Sequence, residues 1–210
     1  MLGTHDLALF VASGILLNIT PGPDSIYIAS RAASGGFRAG SAAALGIGTG
    51  TFVHILAAAF GLSALMAASA TAFTVVKLVG AAYLVWVGIG LLRSRGGTGT
   101  ALGSVPALPL KAIYWQGFWT NALNPKVALF FLAFVPQFID PAAPTKALAF
   151  VFLGTLFNFN GMLYCHLLAF TAATASSRIK AGGALTDWLN RGVGALFLFI
   201  GVKLAFTHQR

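Results

Sequence analysis

Long apolar runs separated by short polar gaps dominate the chain. A helix needs about 20 apolar residues to cross a bilayer, and runs of that order lie at residues 7–28, 39–67, 71–92, 114–138, 147–175 and 188–206. The runs are continuous, whereas the strands of a membrane barrel alternate apolar and polar positions over about ten residues. The pattern therefore predicts an all-α integral membrane protein with six transmembrane helices.

The composition excludes a soluble domain and a disordered chain. Hydrophobic residues make up 58% of the sequence and charged residues 8%, whereas soluble domains carry roughly 25% charged residues. So little charge could not keep the surface of a soluble fold hydrated, and disordered chains are poor in large apolar residues. We therefore expect one transmembrane domain, embedded in a lipid bilayer, over residues 1–210.

The distribution of the basic residues predicts which way the chain faces. The net charge of +9 comes from residues scattered among the gaps, so it indicates membrane topology and no nucleic-acid partner. Cytoplasmic loops are enriched in Lys and Arg. The first, third and fifth gaps contain Arg31, Arg38, Arg93, Arg95, Lys111, Arg178 and Lys180, and the opposite side contains Lys146 and Arg210. Both termini are therefore expected on the outer side of the membrane.

A polar linker divides the chain into two halves. Residues 93–113, RSRGGTGTALGSVPALPLKAI, are rich in Gly, Ser, Thr and Pro, as flexible linkers are. Three predicted spans fall in residues 1–92 and three in residues 114–210. Because three is odd, the halves would cross the bilayer in opposite senses, which is the plan of two inverted three-helix repeats found in many secondary transporters.

Each half carries a proline break next to a charge. The first span contains LLNITPGPDSIYIAS, and the fourth contains WTNALNPKVALFFLAF. Proline removes a helical N–H and clashes with the preceding turn, and the carbonyls freed at membrane depth are tolerated only against protein or a watery cavity. Matched breaks of this kind point to a transporter's binding site. The candidate site residues there are Asn18, Thr20, Pro21, Gly22, Pro23, Asp24, Asn121, Asn124, Pro125 and Lys126.

Asp24 and Lys126 are energetically costly at these positions. A charge at the centre of a membrane helix costs about 2.5–3.5 kcal/mol on insertion scales, so each of the two indicates a function or a specific partner. We hypothesise that Asp24 binds an ammonium group or a proton. Lys126 would bind a carboxylate or pair with Asp24.

Other polar residues of the spans carry weaker signals. Asn158 and Asn160 are candidates for lining the route, with interhelical hydrogen bonding equally consistent. For His54 and His166, helix–helix bonding is favoured over proton relay. Gly46 and Gly50 form a GxxxG pattern that predicts an internal seam, with a homodimer contact as the alternative. The single cysteine, Cys165, excludes an internal disulfide, and no cofactor or metal site is expected.

Two motifs resemble those of the lysine exporter family, including its homoserine and threonine efflux branch. ITPGPD followed by SRAASGGFRAGSAAALGIGTG matches one characteristic stretch, and NPK followed by LFFLAFVPQF matches the second. The family's usual NPGPD stands here as TPGPD, with Thr20 at the Asn position. The resemblance covers nearly the whole chain. It implies a secondary exporter of amino acids or close derivatives in a bacterial inner membrane, driven by proton exchange, with both breaks at the central site.

Three other functions are compatible with a six-span chain. A membrane enzyme would need a nucleophile, a base or paired carboxylates, but the four acids are Asp6, Asp24, Asp140 and Asp187, far apart in sequence. A metal or cation exporter would need clustered His, Cys or carboxylate ligands, which are sparse here. A structural membrane module would not need charges beside matched proline breaks. Small neutral amino acids are favoured as substrates, because the route contains few acids to bind a dicationic one.

The orientation can be tested with a fused reporter. An enzyme that is active only outside the cytoplasm should be active when fused after Arg210, because the basic gaps place that terminus outside. The same reporter inserted in residues 93–113 supplies the cytoplasmic control. Cytoplasmic behaviour of the fusion after Arg210 would overturn this topology.

Overall fold

The fold was analysed in a computed structural model that describes residues 2–93, 106–174, 191–192, 194–195, 198–199 and 201–202. Apart from an isolated bridge between Thr4 and Ile139, regular structure in these residues is helical. The helices are α1 (Leu7–Ile19), α2 (Pro23–Leu56), α3 (Ser63–Ala68), α4 (Ala70–Arg93), α5 (Leu110–Ala122), α6 (Pro125–Leu129) and α7 (Lys146–Thr174). Two π-helical segments, Ala57–Leu62 and Phe130–Phe134, and a 3-10 turn, Val135–Phe138, extend α2 and α6.

Several of these helices have the length and apolarity of membrane spans. Within the described residues, Pro23–Leu65 and Lys146–Thr174 qualify directly, and the pair Leu110–Ala122 and Pro125–Phe138, bent by 44°, qualifies as one broken span. α4 and α7 begin and end within two residues of the predicted runs 71–92 and 147–175. The all-helical class is confirmed.

The polar gap predicted at residues 29–38 is helical except at one residue. Gly36 has φ +73° and ψ −175° inside α2, a combination that essentially only glycine adopts. Ala32 and Gly40 would lie about 12 Å apart in a continuous helix, yet a Cβ on Gly40 would come within 2.6 Å of the Ala32 Cβ. The chain therefore reverses at Gly36, and the helix that starts at Pro23 folds back on itself. The reversal falls within the predicted gap, and Gly36 makes the turn alone.

The returning part of α2 is wedged between α5 and α7 by its glycines. A Cβ on Gly46 would overlap the carbonyl oxygen of Tyr114, and one on Gly50 would lie 2.6 Å from the carbonyl oxygen of Phe118. On another face, Gly48 contacts Met162 of α7. Small residues let helix backbones approach closely in a membrane. The predicted GxxxG pattern thus forms an internal seam, as expected.

Aromatic side chains fill the space next to the second break. Phe10 of α1 is fully buried and its ring contacts Phe130, Phe134 and Phe138 at centroid distances of 6.2, 6.2 and 5.2 Å. Phe157 of α7 stacks on Phe130 at 4.6 Å. Aromatic pairs at these distances stabilise beyond simple burial. This cluster fixes α1 against the segment that follows α6, so the two breaks are positioned near each other.

The last predicted span and the linker lie largely outside the described residues. The described part of the last span packs on α4, where Gly88 faces Gly194 and Leu198, and Gly201 faces Ala81.

Arg31 was counted as a cytoplasmic charge in a gap. It is buried instead, and its guanidinium donates to the carbonyl oxygen of Pro106 at 3.0 Å and to Gln116 Oε1 at 2.9 Å. It therefore ties the end of the linker to the first half.

Replacement of one seam glycine tests the packing of α2 on α5. The substitution Gly46→Ala forces a methyl group into the Tyr114 carbonyl, and overpacking of this kind costs typically about 1–3 kcal/mol. We expect a lower midpoint of thermal unfolding in detergent, followed by tryptophan fluorescence.

Gly61→Ala is the matched control, because a Cβ there meets nothing within 4 Å. Its midpoint should stay the same or rise slightly, since alanine favours helix over glycine. Equal midpoints for the two variants would contradict the seam.

Candidate functional site

The first break begins where proline interrupts the hydrogen bonds of α1. α1 ends at Ile19, and both the backbone N–H and the side-chain hydroxyl of Thr20 donate to the carbonyl oxygen of Leu16, at 3.1 and 2.8 Å. The next carbonyl, that of Leu17, would accept from residue 21 in a continuing helix, but Pro21 has no N–H. The chain then passes through Gly22 in an extended conformation, and α2 starts at Pro23.

The second break repeats this chemistry between α5 and α6. The carbonyl of Asn121 would accept from residue 125 in a continuing helix, and that residue is Pro125. Asn124 caps α6, because its Oδ1 accepts from the backbone N–H of Lys126 at 3.0 Å, as an N-cap side chain does. Pro23 and Pro125 each occupy a first helical position, and Asp24 and Lys126 each follow directly. The sequence match of Pro23-Asp24 with Pro125-Lys126 is therefore a structural match as well.

Lys126 of the second break binds the carbonyls of the first. Its Nζ donates to the carbonyl oxygens of Leu17 and Thr20, at 3.3 and 3.2 Å. The ammonium also packs on Gly22, where a Cβ would lie 3.2 Å from Nζ. These oxygens form the C-terminal end of α1, whose dipole favours a cation. Lys126 thus supplies the donor that Pro21 removed.

Asp24 of the first break binds the amides of the second. Its Oδ2 accepts from Asn121 Nδ2 at 2.9 Å and from Asn124 Nδ2 at 3.1 Å. Asn124 therefore donates to Asp24 and caps α6 with the same amide group, a combination that an ionised aspartate, which only accepts, could not provide. The other oxygen of Asp24, Oδ1, is buried and without a hydrogen-bond partner in the described part of the chain.

His54 and Thr51 complete the network from α2. His54 is buried, and its Nε2 lies 2.9 Å from the carbonyl oxygen of Asn121. A carbonyl accepts only, so Nε2 carries the proton and donates to this oxygen. The same oxygen also accepts from the backbone N–H of Asn124 at 2.8 Å, in place of the α-helical donor that Pro125 lacks. Thr51 Oγ1 donates to Asn121 Oδ1 at 3.1 Å. His54 thus bonds between helices, as predicted. The sequence did not identify its carbonyl partner, and Thr51 was missed. The available signal was that Thr51 and His54 are three residues apart and so lie on one face of α2.

A small cavity lies between the two breaks. Its volume is about 30 Å³, enough for a water molecule or two and far below the volume of roughly 300 Å³ or more of typical ligand pockets. Polar residues on its wall include Asn18, Asp24, Thr51, Asn121, Lys126 and Asn158. Apolar residues on its wall include Leu17, Ile47, Val127, Phe157 and Met162.

The residues predicted from the sequence fall into two groups. Those on the cavity wall are Asn18, Asp24, Asn121, Lys126 and Asn158. Those that build the breaks around it are Thr20, Pro21, Gly22, Pro23, Asn124 and Pro125. Asn160 lies on α7 and is not among the residues that line the cavity. Within the described residues, Asp24 and Lys126 do not form a direct ion pair, because each is bonded to the opposite break.

The sequence is similar to known proteins over nearly its whole length. Residues 15–208 match the family model described as LysE type translocator. A leucine efflux protein of Enterobacter sp. (strain 638) is 28% identical over 98% of each chain. A homoserine/homoserine lactone efflux protein of Salmonella typhi is 30% identical over 93% of this chain and 94% of its own. An uncharacterized membrane protein of Pseudomonas aeruginosa is 32% identical over 97% and 96%. No solved structure matched.

Loss of the Lys126 ammonium should destabilise the first break. Lys126→Met leaves the buried carbonyls of Leu17 and Thr20 without their donor, and hydrogen bonds to charged groups contribute about 1.5–3 kcal/mol each. A loss of about 2 kcal/mol lowers the unfolding midpoint by roughly 4–8 °C in a chain of this size. Thermal unfolding in detergent measures it.

Lys146→Met is the matched control, because Lys146 Nζ also donates to a carbonyl oxygen, that of Ala143, at 3.0 Å but outside the breaks. We expect only a small change there, and partial recovery with Lys126→Arg, which keeps the charge and the donors. A Lys126→Met midpoint equal to that of the native chain would contradict the bonding described.

Proposed function

The chain belongs to the LysE-type translocator family, and on that premise we propose that it is a secondary exporter of small neutral amino acids or close derivatives. Homoserine, threonine and branched-chain amino acids are the favoured substrates, and proton antiport is the proposed driving mechanism. The names of two relatives, a leucine efflux protein and a homoserine/homoserine lactone efflux protein, support this substrate class. The chain is a membrane protein, and we place it in the bacterial inner membrane with both termini periplasmic.

The observation that carries the proposal is the cavity between the two breaks. One carboxylate and one ammonium, those of Asp24 and Lys126, lie on its wall among neutral side chains. A zwitterion carries the same two charges, so its ammonium can bind Asp24 without leaving a net charge in a medium of low dielectric constant. The apolar wall formed by Ile47, Phe157 and Met162 suits an uncharged side chain. A dicationic substrate would need a second carboxylate there.

Metal export is the second candidate and is less favoured. Metal sites combine several His, Cys or carboxylate ligands. In the described ranges no group of three such side chains lies close enough to hold an ion. The acid on the cavity wall is bonded to two amides instead. A membrane-embedded enzyme has no support from the relatives reported above, two of which are named efflux proteins and none an enzyme.

Transport requires the closed cavity to open. A volume of about 30 Å³ cannot contain an amino acid, so this conformation is one between loading and release. We propose six spans in two inverted three-helix repeats, whose proline breaks bend to open the cavity to each side in turn. The Gly22 and Asn124 positions, which are extended between helices, would absorb the change in direction.

Proton coupling would follow from competition at one oxygen. Asp24 Oδ2 is occupied by two amides, whereas Oδ1 is free of protein partners in the described residues. If a proton and the substrate's ammonium both bind Oδ1, the protein cannot bind them at the same time. Each transport cycle then carries the substrate in one direction and a proton in the other. Ionisable groups inside transporters commonly relay protons in this way.

Proteoliposomes with an imposed proton gradient test the function and the role of Asp24. The native chain should release preloaded leucine, threonine or homoserine faster with a gradient than without one. Asp24→Asn should lower gradient-driven release by about tenfold or more, because a charge-assisted bond of about 1.5–3 kcal/mol to the substrate is lost. Lysine, divalent cations and dipeptides complete the panel of loaded solutes.

Asp6→Asn is the control, since it makes the same chemical change at an exposed residue outside the breaks. Release should then match the native rate. Gradient-driven release by Asp24→Asn at the native rate would remove Asp24 from the mechanism. Export of divalent cations with no amino acid export would replace the proposed function with the second candidate.

A further inference from the structure

Two polar atoms on the cavity wall are buried and unsatisfied. Besides Oδ1 of Asp24, the amide nitrogen Nδ2 of Asn18 is buried and has no hydrogen-bond partner in the part of the chain that the structure describes. Asn18 lies in the last turn of α1, immediately before the break, and both residues line the same cavity. Burying a donor without a partner is unfavourable, so such an atom in a transport cavity indicates a ligand group that it binds.

Three other donors on the cavity wall are already engaged by the protein. Lys126 Nζ donates to the carbonyls of Leu17 and Thr20. Asn121 Nδ2 donates to Asp24, and Thr51 Oγ1 donates to Asn121 and to the carbonyl oxygen of Ile47. Lys126 Nζ and Asn121 Nδ2 each retain one N–H beyond these bonds, but both groups are already held in place by the breaks. Nδ2 of Asn18 makes no such bond, so both of its N–H groups are available to a ligand.

We infer that Asn18 binds the carboxylate of the transported amino acid, while Asp24 binds its ammonium. A free acceptor and a free donor on opposite sides of one break match the two ends of a zwitterion. This assigns to Asn18 a specificity role: it distinguishes an amino acid from the amine that remains when the carboxylate is removed. The inference rests on the proposed function and deepens it, because it names the group that the site recognises.

The neighbouring helix keeps Asn18 in place. Gly161 of α7 lies against its amide, and a Cβ there would come within 3.2 Å of both Nδ2 and Oδ1. The amide is therefore packed closely on the α7 backbone and has little freedom to turn away. A donor fixed before the ligand arrives discriminates more strongly than a mobile one, because no ordering is needed on binding.

The native cysteine provides a binding assay that does not depend on transport. Cys165 is the only cysteine in the sequence, lines the same cavity and is half-buried. The full chain in proteoliposomes is alkylated with N-ethylmaleimide, and intact mass measures the rate. Leucine is compared with 3-methylbutylamine, which is leucine without its carboxylate, as a protecting ligand.

In the native chain, the leucine concentration that protects Cys165 should be about tenfold or more lower than the amine concentration that does so. The reason is that a site built for a polar group rejects analogues that lack it. Asn18→Ala should bring the two concentrations close together. Asn18→Asp, which has nearly the same shape, should reverse the preference, since it repels the carboxylate. Ser13→Ala, a buried polar change on α1 away from the cavity, should keep the native ratio.

The outcomes separate the two proposals. If leucine protects the native chain but Asn18→Ala and Asn18→Asp both keep its preference over the amine, Asn18 does not bind the carboxylate, and the exporter function stands. If leucine, threonine and homoserine all fail to protect the native chain and are not exported, the proposed function is overturned together with the role of Asn18.

Discussion

A backbone carbonyl that has lost its helical donor inside a membrane must find another one, and at both breaks of this protein a side chain from a distant helix supplies it. Pro21 frees the carbonyl of Leu17, which Lys126 binds. The carbonyl of Asn121, which loses its α-helical donor at Pro125, accepts from the backbone N–H of Asn124 and from His54. Asp24 in turn binds the two amides at the second break. Neither break could persist alone in hydrocarbon. The closeness of α1, α2, α5 and α6, and the cavity between them, follows from this mutual dependence.

Bonding of each charged side chain to the opposite break explains how Asp24 and Lys126 can lie near each other without pairing. An ion pair between Asp24 and Lys126 would consume both charges, and a substrate would have to separate them. Here Lys126 is bonded to carbonyls and Asp24 to amides, so one carboxylate oxygen is left for a ligand. Neutral donors bonded to a carboxylate stabilise it while leaving its charge in place, which is what recognition of a cationic group requires.

Much of this could be predicted from the sequence, because membrane helices and their breaks are local features. The apolar runs at residues 71–92 and 147–175 predicted the bounds of α4 and α7 to within two residues. The motifs TPGPD and NPK predicted the positions of both breaks. The partners of Asp24 and Lys126 could not be predicted, since they depend on how distant helices pack. A direct pairing of the two was one expectation, but the side chains bind opposite breaks. The reversal between the first two spans falls in the predicted gap, but Gly36 was not identified as the residue that makes it, because a single glycine gives no sign that it reverses a helix.

The seam between α2 and α5 separates the residues of α2 that pack on a neighbouring helix from those that line the cavity. Gly46 and Gly50 meet backbone atoms of α5, whereas Ile47 and Thr51, on the same helix, face the cavity. A side chain such as Ile47 can therefore be exchanged for a larger or smaller one without disturbing the contacts of Gly46 and Gly50 with α5. One framework of this kind could diversify among solutes through a few wall substitutions, which is consistent with relatives named for both leucine and homoserine efflux.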